Sequence, residues 1–143
     1  MKKTLTYTLL TCLLATASAQ QASVLATGQW WRLKITATGI YRLTTAEVPQ
    51  LAGADVASIG LYGSSGDQLE LANRRTPVDD LQPVAIEVAD HNGNGRFDNG
   101  DEVLFYGEGT DLWRYSAADR RWEMQRHAYA TANCYYLTPA APD

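Results

Sequence analysis

The chain has 143 residues, with 12 basic and 16 acidic side chains and two cysteines. That length suits one domain with a core of its own. With no Lys/Arg cluster larger than a pair, it lacks the basic face that nucleic-acid phosphates require.

Residues 1–19 have the layout of a cleavable signal peptide. Lys2 and Lys3 form the positive end, residues 5–14 a short apolar stretch, and Ala17-Ser18-Ala19 a small-residue cleavage site. The apolar stretch falls short of the ~20 residues a spanning helix needs, and Thr6, Thr8 and Thr11 interrupt it. Cys12 has no small-residue lead-in of the kind a lipoprotein site carries, so lipid attachment is the weaker reading. Removing these 19 residues leaves 124 residues with ten basic and sixteen acidic side chains, a formal charge of −6. Cys134 is then the sole cysteine, which rules out an intramolecular disulfide.

Residues 20–27 are small and polar and read as a flexible lead-in, with order expected from Gly28. The alternation from Trp30 to Thr36, the turn residues Ala37-Thr38-Gly39 and the renewed alternation from Ile40 to Leu43 predict a β-hairpin. Thr44 with Glu47 forms a capping box, Gly53 a stop, and Pro49 limits the helix between them to one or two turns. Ile59 to Tyr62 reads as a short strand at a sheet edge, closed by the turn-rich residues 63–67. Residues 73–80 read as a surface connection.

Residues 83–89 place Val84, Ile86 and Val88 on one strand face, and further strands are expected at 102–106, 113–115, 122–124 and 134–137. Short strands at roughly ten-residue spacing with turn signals between them predict an all-β sandwich or barrel. The organisation expected is a signal peptide over 1–19, a lead-in over 20–27, one β-rich domain over 28–138, and 139–143 as a tail or the start of a downstream region.

The stretch 90–101 carries the most chemistry. It puts Asp90, Asn92, Asn94, Asp98 and Asp101 at positions 1, 3, 5, 9 and 12 of a twelve-residue window, with Gly95 at 6 and Phe97 at 8. A hard cation takes six to eight oxygens, alternate residues point inward, and glycine permits the sharp turn, so the spacing fits a calcium loop. Arg96 would offer its backbone carbonyl. Position 12 is Asp rather than Glu and no helix flanks the loop, so the match is to ligand spacing and not to a helix-loop-helix fold. Asn-Gly and Asp-Gly turns also connect ordinary strands, and both readings stand at this level. Seven carboxylates between Glu87 and Asp111 face Arg96 alone, a crowding that a cation, or solvent and salt, relieves.

Nucleophilic catalysis has Cys134 with His127 or His91 as its thiol candidates. Cys134 lies in a strand pattern with no basic neighbour in sequence to lower its pKa, and reads as a buried structural thiol. No G-x-S-x-G elbow, phosphate loop or paired His/Cys zinc spacing is present, so no catalytic residue is assigned. Trp30, Trp31, Trp113 and Trp122 suit stacking on glycan or protein, but core filling is expected for at least half of them.

Several motifs in order carry a resemblance. Residues 28–35 (Gly-Gln-Trp-Trp-Arg-Leu-Lys-Ile), Thr38-Gly39-Ile40-Tyr41-Arg42-Leu43, Ile59-Gly60-Leu61-Tyr62-Gly63, Gly95-Arg96-Phe97-Asp98, residues 101–107 (Asp-Glu-Val-Leu-Phe-Tyr-Gly), and Tyr129 with Tyr135-Tyr136-Leu137-Thr138 resemble the N-terminal region of PorU-type proteins. These are gingipain-related cysteine peptidases acting as the sortase of the type IX secretion system. The resemblance implies a non-catalytic β-rich N-terminal domain, structural or docking in role, in a protein whose His/Cys dyad lies far downstream. Cys134 and His127 do not match that dyad. It further implies a downstream peptidase domain or type IX secretion components as partners, and export to the periplasm or outer-membrane surface of a Gram-negative bacterium. The end at Asp143 fits a truncated product or the N-terminal piece of a longer reading frame. The rival expectation is a stand-alone exported calcium-dependent module binding glycan or protein.

Overall fold

A computed structural model describes residues 22–66, 68 and 80–142. The signal peptide, and the surface connection apart from Asp80, lie outside the described residues. Among the described residues nine strands follow in order: β1 Trp31–Ile35, β2 Gly39–Thr44, β3 Gly60–Gly63, β4 Gln82–Pro83, β5 Ile86–Ala89, β6 Glu102–Gly107, β7 Leu112–Ser116, β8 Arg121–Gln125 and β9 Asn133–Thr138. They form a four-stranded sheet β1-β9-β3-β4, a three-stranded sheet β2-β6-β5 and a separate ribbon β7-β8. All pairings are antiparallel, and the all-β sandwich expected from strand spacing is present.

Period-two alternation dictates which side chains enter the core. In the first sheet, register aligns Trp31, Leu137 and Leu61 in one row and Leu33, Tyr135 and Gly63 in the next. The second sheet answers with Tyr41, Phe105 and Ile86, then Leu43, Val103 and Val88. Leu61, Val103, Phe105, Tyr135 and Leu137 are buried, and the partners on the flanking strands pack against them. Intervening residues such as Arg32, Lys34, Arg42 and Tyr106 face solvent.

The sheets meet through aromatic rings. Tyr41 stacks on Phe105 with centroids 5.5 Å apart, and Phe105 meets Tyr135 of the other sheet at 5.9 Å. Tyr135 lies directly over Gly63, where an added Cβ would come within 2.5 Å of the ring. Its hydroxyl accepts from Glu108 N–H at 2.8 Å. Burial holds the Tyr135 phenol above its ordinary pKa, with the nearby Glu108 carboxylate adding to the effect.

Four local expectations change. Trp30 to Leu43 is not a hairpin: β1 pairs with β9 and β2 with β6, so residues 36–38 carry the chain from one sheet to the other. A strand whose partner is distant shows the same alternation as one folded back on its neighbour. Residues 83–89 likewise divide between sheets, with β4 ending at Pro83 and β5 starting at Ile86. β3 lies between β9 and the two-residue β4 rather than at an edge. Order begins before Gly28, since Ser23 caps a 3-10 turn at Val24–Ala26. Asp80 holds that turn by accepting from Val24 N–H at 2.5 Å and Ser23 Oγ at 3.0 Å, bonds that lower the Asp80 pKa.

The Thr44–Glu47 hydrogen bonds of the expected capping box form, but they close a turn after β2, and the helix begins later with Val48 as its N-cap and no side-chain cap. Glu47 accepts from Thr44 N–H at 2.8 Å and from the Thr44 hydroxyl, and these bonds lower the Glu47 pKa. The short helix is the 3-10 turn Pro49–Leu51, followed by Gly53 at φ 82°.

Gly63→Ala is expected to cost about 1–3 kcal/mol, the range for forced overpacking. The Tyr135 ring must move and its hydroxyl bond with it. Urea unfolding of both proteins checks this.

Candidate functional site

The 90–101 loop connects β5 to β6, so both ends are anchored in one sheet. Phe97 fixes its middle. The ring is fully buried, its N–H donates to Ala54 O at 2.9 Å, and its C=O accepts from Gly53 N–H at 2.9 Å. Val56 N–H donates to Gly95 O at 3.2 Å, completing an antiparallel bridge in which Arg96 lies opposite Asp55. At such a position the residue's own N–H and C=O point away from the opposing strand. Arg96 therefore turns both peptide groups into the loop, and its N–H donates to Asn94 Oδ1 at 2.6 Å. Its guanidinium leaves the loop and donates to Gly53 O at 3.2 Å.

The side chains expected as ligands gather here. Asp90 accepts from Gly93 N–H and Gly95 N–H, each at 2.7 Å. Asn92 Oδ1 accepts from Asn94 N–H at 3.0 Å. The Asn92 amide donates to both Asp98 oxygens at 3.0 and 3.1 Å, and the Asn94 amide to Asp98 Oδ2 at 2.6 Å. Asp101 is 1 % exposed and closes the loop, accepting from His91 N–H at 2.9 Å and Asp98 N–H at 2.8 Å. Gly93, Gly95 and Gly100 hold φ of 69°, 75° and 106°, conformations that favour glycine.

Two facts bear on a cation. The donors are all oxygen, as a hard divalent ion requires, and each oxygen accepting one N–H keeps a second lone pair. Against that, no set of three or more His, Cys, Asp or Glu side chains is gathered for a metal among the described residues. The loop closes through its own hydrogen bonds, with two amide groups on Asp98 where positive charge would otherwise stand. Loop crowding is further relieved where Glu102 meets Arg42 at 3.4 Å. The Asp90 carboxyl lies below its ordinary pKa, chiefly through the Gly95 N–H; desolvation opposes this, and the Gly93 N–H adds a smaller lowering.

The thiol and imidazoles do not form a dyad. Cys134 is half-buried rather than buried, opposite Lys34 in register, on the β9 face that alternates with the core residues Tyr135 and Leu137. His127 Nδ1 accepts from Tyr129 N–H at 3.1 Å and Ala130 N–H at 2.9 Å, and so caps its own turn. The tryptophans also depart from expectation. Trp31 packs against the core, whereas Trp30 meets Tyr62 edge-on at 5.3 Å, and Trp113 and Trp122 are exposed. The alternation of Trp113 with Tyr115 and of Trp122 with Met124, around a turn, was the available signal for an exposed ribbon face.

The fold is that of an all-β sandwich domain, and it is similar to a part of PorU. The solved structure of dimeric latent PorU from Porphyromonas gingivalis matches it with a TM-score of 0.64 and 29% sequence identity over 83% of this chain. The chain spans about a tenth of the length of that PorU chain, the match covering 10% of it. No family model and no curated protein matches the chain.

Asp90→Asn replaces one of the two acceptors with a donor facing an N–H, and a lower melting temperature at neutral pH is expected. Because the folded pKa is depressed, the carboxylate's stabilisation is present above the unfolded value of about 3.9 and is lost as pH falls through the folded one. The melting temperatures of the two proteins should therefore converge in strong acid. A difference that persists there contradicts this account.

Proposed function

We propose that this chain is a non-catalytic N-terminal domain, structural or docking in role, of a PorU-type sortase of the type IX secretion system. The observation that carries the reading is the match to PorU over 83% of this chain but only 10% of the PorU chain. The separation of Cys134 and His127 into unrelated contacts supports the non-catalytic part. On this reading peptidase chemistry belongs to a domain elsewhere in a longer protein, and this sandwich supports or covers it. Export beyond the cytoplasm, expected from residues 1–19, belongs to the same proposal.

Two measurements test it. The purified chain should show no peptidase activity, and activity abolished by Cys134→Ala would overturn the reading. PorU lacking the tenth matched by this domain should retain this chain in a pull-down, and no retention would remove the docking role.

A second reading concerns the 90–101 loop. We infer that it binds calcium in a structural role, through Asp90, Asn92, Asn94, the Arg96 carbonyl, Asp98 and Asp101. The convergence of these oxygen donors at the calcium-loop spacing supports it. Binding would require the Asn92 and Asn94 amides to withdraw from Asp98 and present oxygen instead. Extracellular modules bind calcium at about 10⁻⁴–10⁻³ M, and at ten times Kd a native-state ligand adds about 1.4 kcal/mol. Millimolar calcium should therefore raise the melting temperature by several degrees, and Asp98→Ala should abolish the rise. An unchanged melt excludes the ion.

A further inference from the structure

Among the described residues the β7–β8 ribbon stands apart from both sheets, its strands pairing only with each other. Register puts Trp113 opposite Met124 and Tyr115 opposite Trp122, so all four side chains share one face. They are 65%, 49%, 54% and 64% exposed respectively. The other face carries Arg114, Glu123, Ser116 and Arg121, with Arg121 donating to Glu123 at 2.8 Å. This is an amphipathic ribbon with an uncovered apolar side. A lone two-stranded hairpin is marginally stable in water, and such a face gains stability from an apolar partner.

Geometry and charge select the partner. A flat glycan platform needs rings in one plane, but Tyr115 and Trp122 meet at 62° with centroids 5.6 Å apart. Fully covered aromatic side chains bury about 150–250 Å² each, so four partly exposed side chains offer on the order of 400 Å². A stable protein interface needs about 800 Å² per partner. A bilayer interface sets no such minimum, and Trp and Tyr rings favour the headgroup level. The charge is complementary to an anionic surface: Arg120 in the turn and Arg126 just after β8 stand at the two ends of the ribbon against Asp119, while Arg114 and Arg121 lie on the opposite face, Arg121 with Glu123. Arginines at the ends of the apolar face attract anionic headgroups.

We propose that the β7–β8 ribbon docks this domain on an anionic lipid bilayer, with Trp113, Tyr115, Trp122 and Met124 in the interface and Arg120 and Arg126 at headgroup level. The inference stands apart from the PorU-type reading. Vesicle flotation of the full chain tests it, using phosphatidylcholine vesicles and an equal mixture with phosphatidylglycerol. Any contribution of the apolar N-terminal stretch is common to wild type and variants. The wild type should float with the mixed vesicles. Trp113→Ser with Trp122→Ser should weaken partitioning at least about tenfold while the core melt is kept, because these side chains lie outside the core. Arg120→Gln with Arg126→Gln should weaken it about tenfold on mixed vesicles and leave phosphatidylcholine unaffected. Absence of wild-type flotation, or variants floating as wild type does, overturns the proposal. A concentration-dependent dimer in sedimentation that the tryptophan variant loses also overturns it, and assigns the face to a second copy.

Discussion

The contact between Phe105 and Tyr135 joins the two sheets, and the placement of the rest follows from it. Each ring comes from an interior strand of its sheet, β6 or β9, so the sheets meet through interior strands rather than edges. Tyr41 extends the stack on one side. Glycine supplies the space: Gly63 lies under Tyr135 and Gly107 under Tyr41, where an added Cβ would come within 2.5 Å and 2.9 Å of the rings. The Tyr135 hydroxyl then fixes the chain just after β6 through Glu108 N–H. From there Gly109 N–H reaches Thr38 Oγ1 at 3.0 Å, tying the crossover between β1 and β2 to the same point.

The 90–101 loop inherits its rigidity from that core. Phe97 enters the core and makes two backbone bonds with residues 53 and 54, so the loop cannot lift away without exposing a fully buried ring. Truncating such a ring typically costs about 3–5 kcal/mol. The polar residues around it are thus held converged whether or not an ion is bound. Asp101 links the two regions, because its carboxylate closes the loop while its backbone leads directly into β6.

Much of this was legible in the sequence, and the failures share one cause. Strand existence, the Thr44–Glu47 hydrogen bonds, and the convergence of residues 90–101 rest on local spacing, which a sequence displays directly. Pairing does not. The alternation of Trp30 to Leu43 is the same whether β1 folds back on β2 or waits for β9, and only packing between distant segments decides. Cys134 was misplaced for a related reason, since inward and outward positions of β9 are fixed by Tyr135 and Leu137 entering the core. The tryptophans of β7 and β8 look like core residues by type, yet among the described residues the ribbon that bears them pairs with neither sheet.

The position of β9 also governs the order in which the molecule is completed. Trp31 pairs with Leu137, so nearly the whole domain lies between these partners in sequence. β9 separates β1 from β3, and neither has the other as a neighbour. The four-stranded sheet therefore closes by insertion of its last strand between two that are already synthesised. Pairings over such separations pay their loop-closure entropy before any contact rewards it, which makes folding slow. Until residues 133–138 are available β1 and β3 lack the strand that joins them, and the Phe105–Tyr135 contact between the two sheets cannot form.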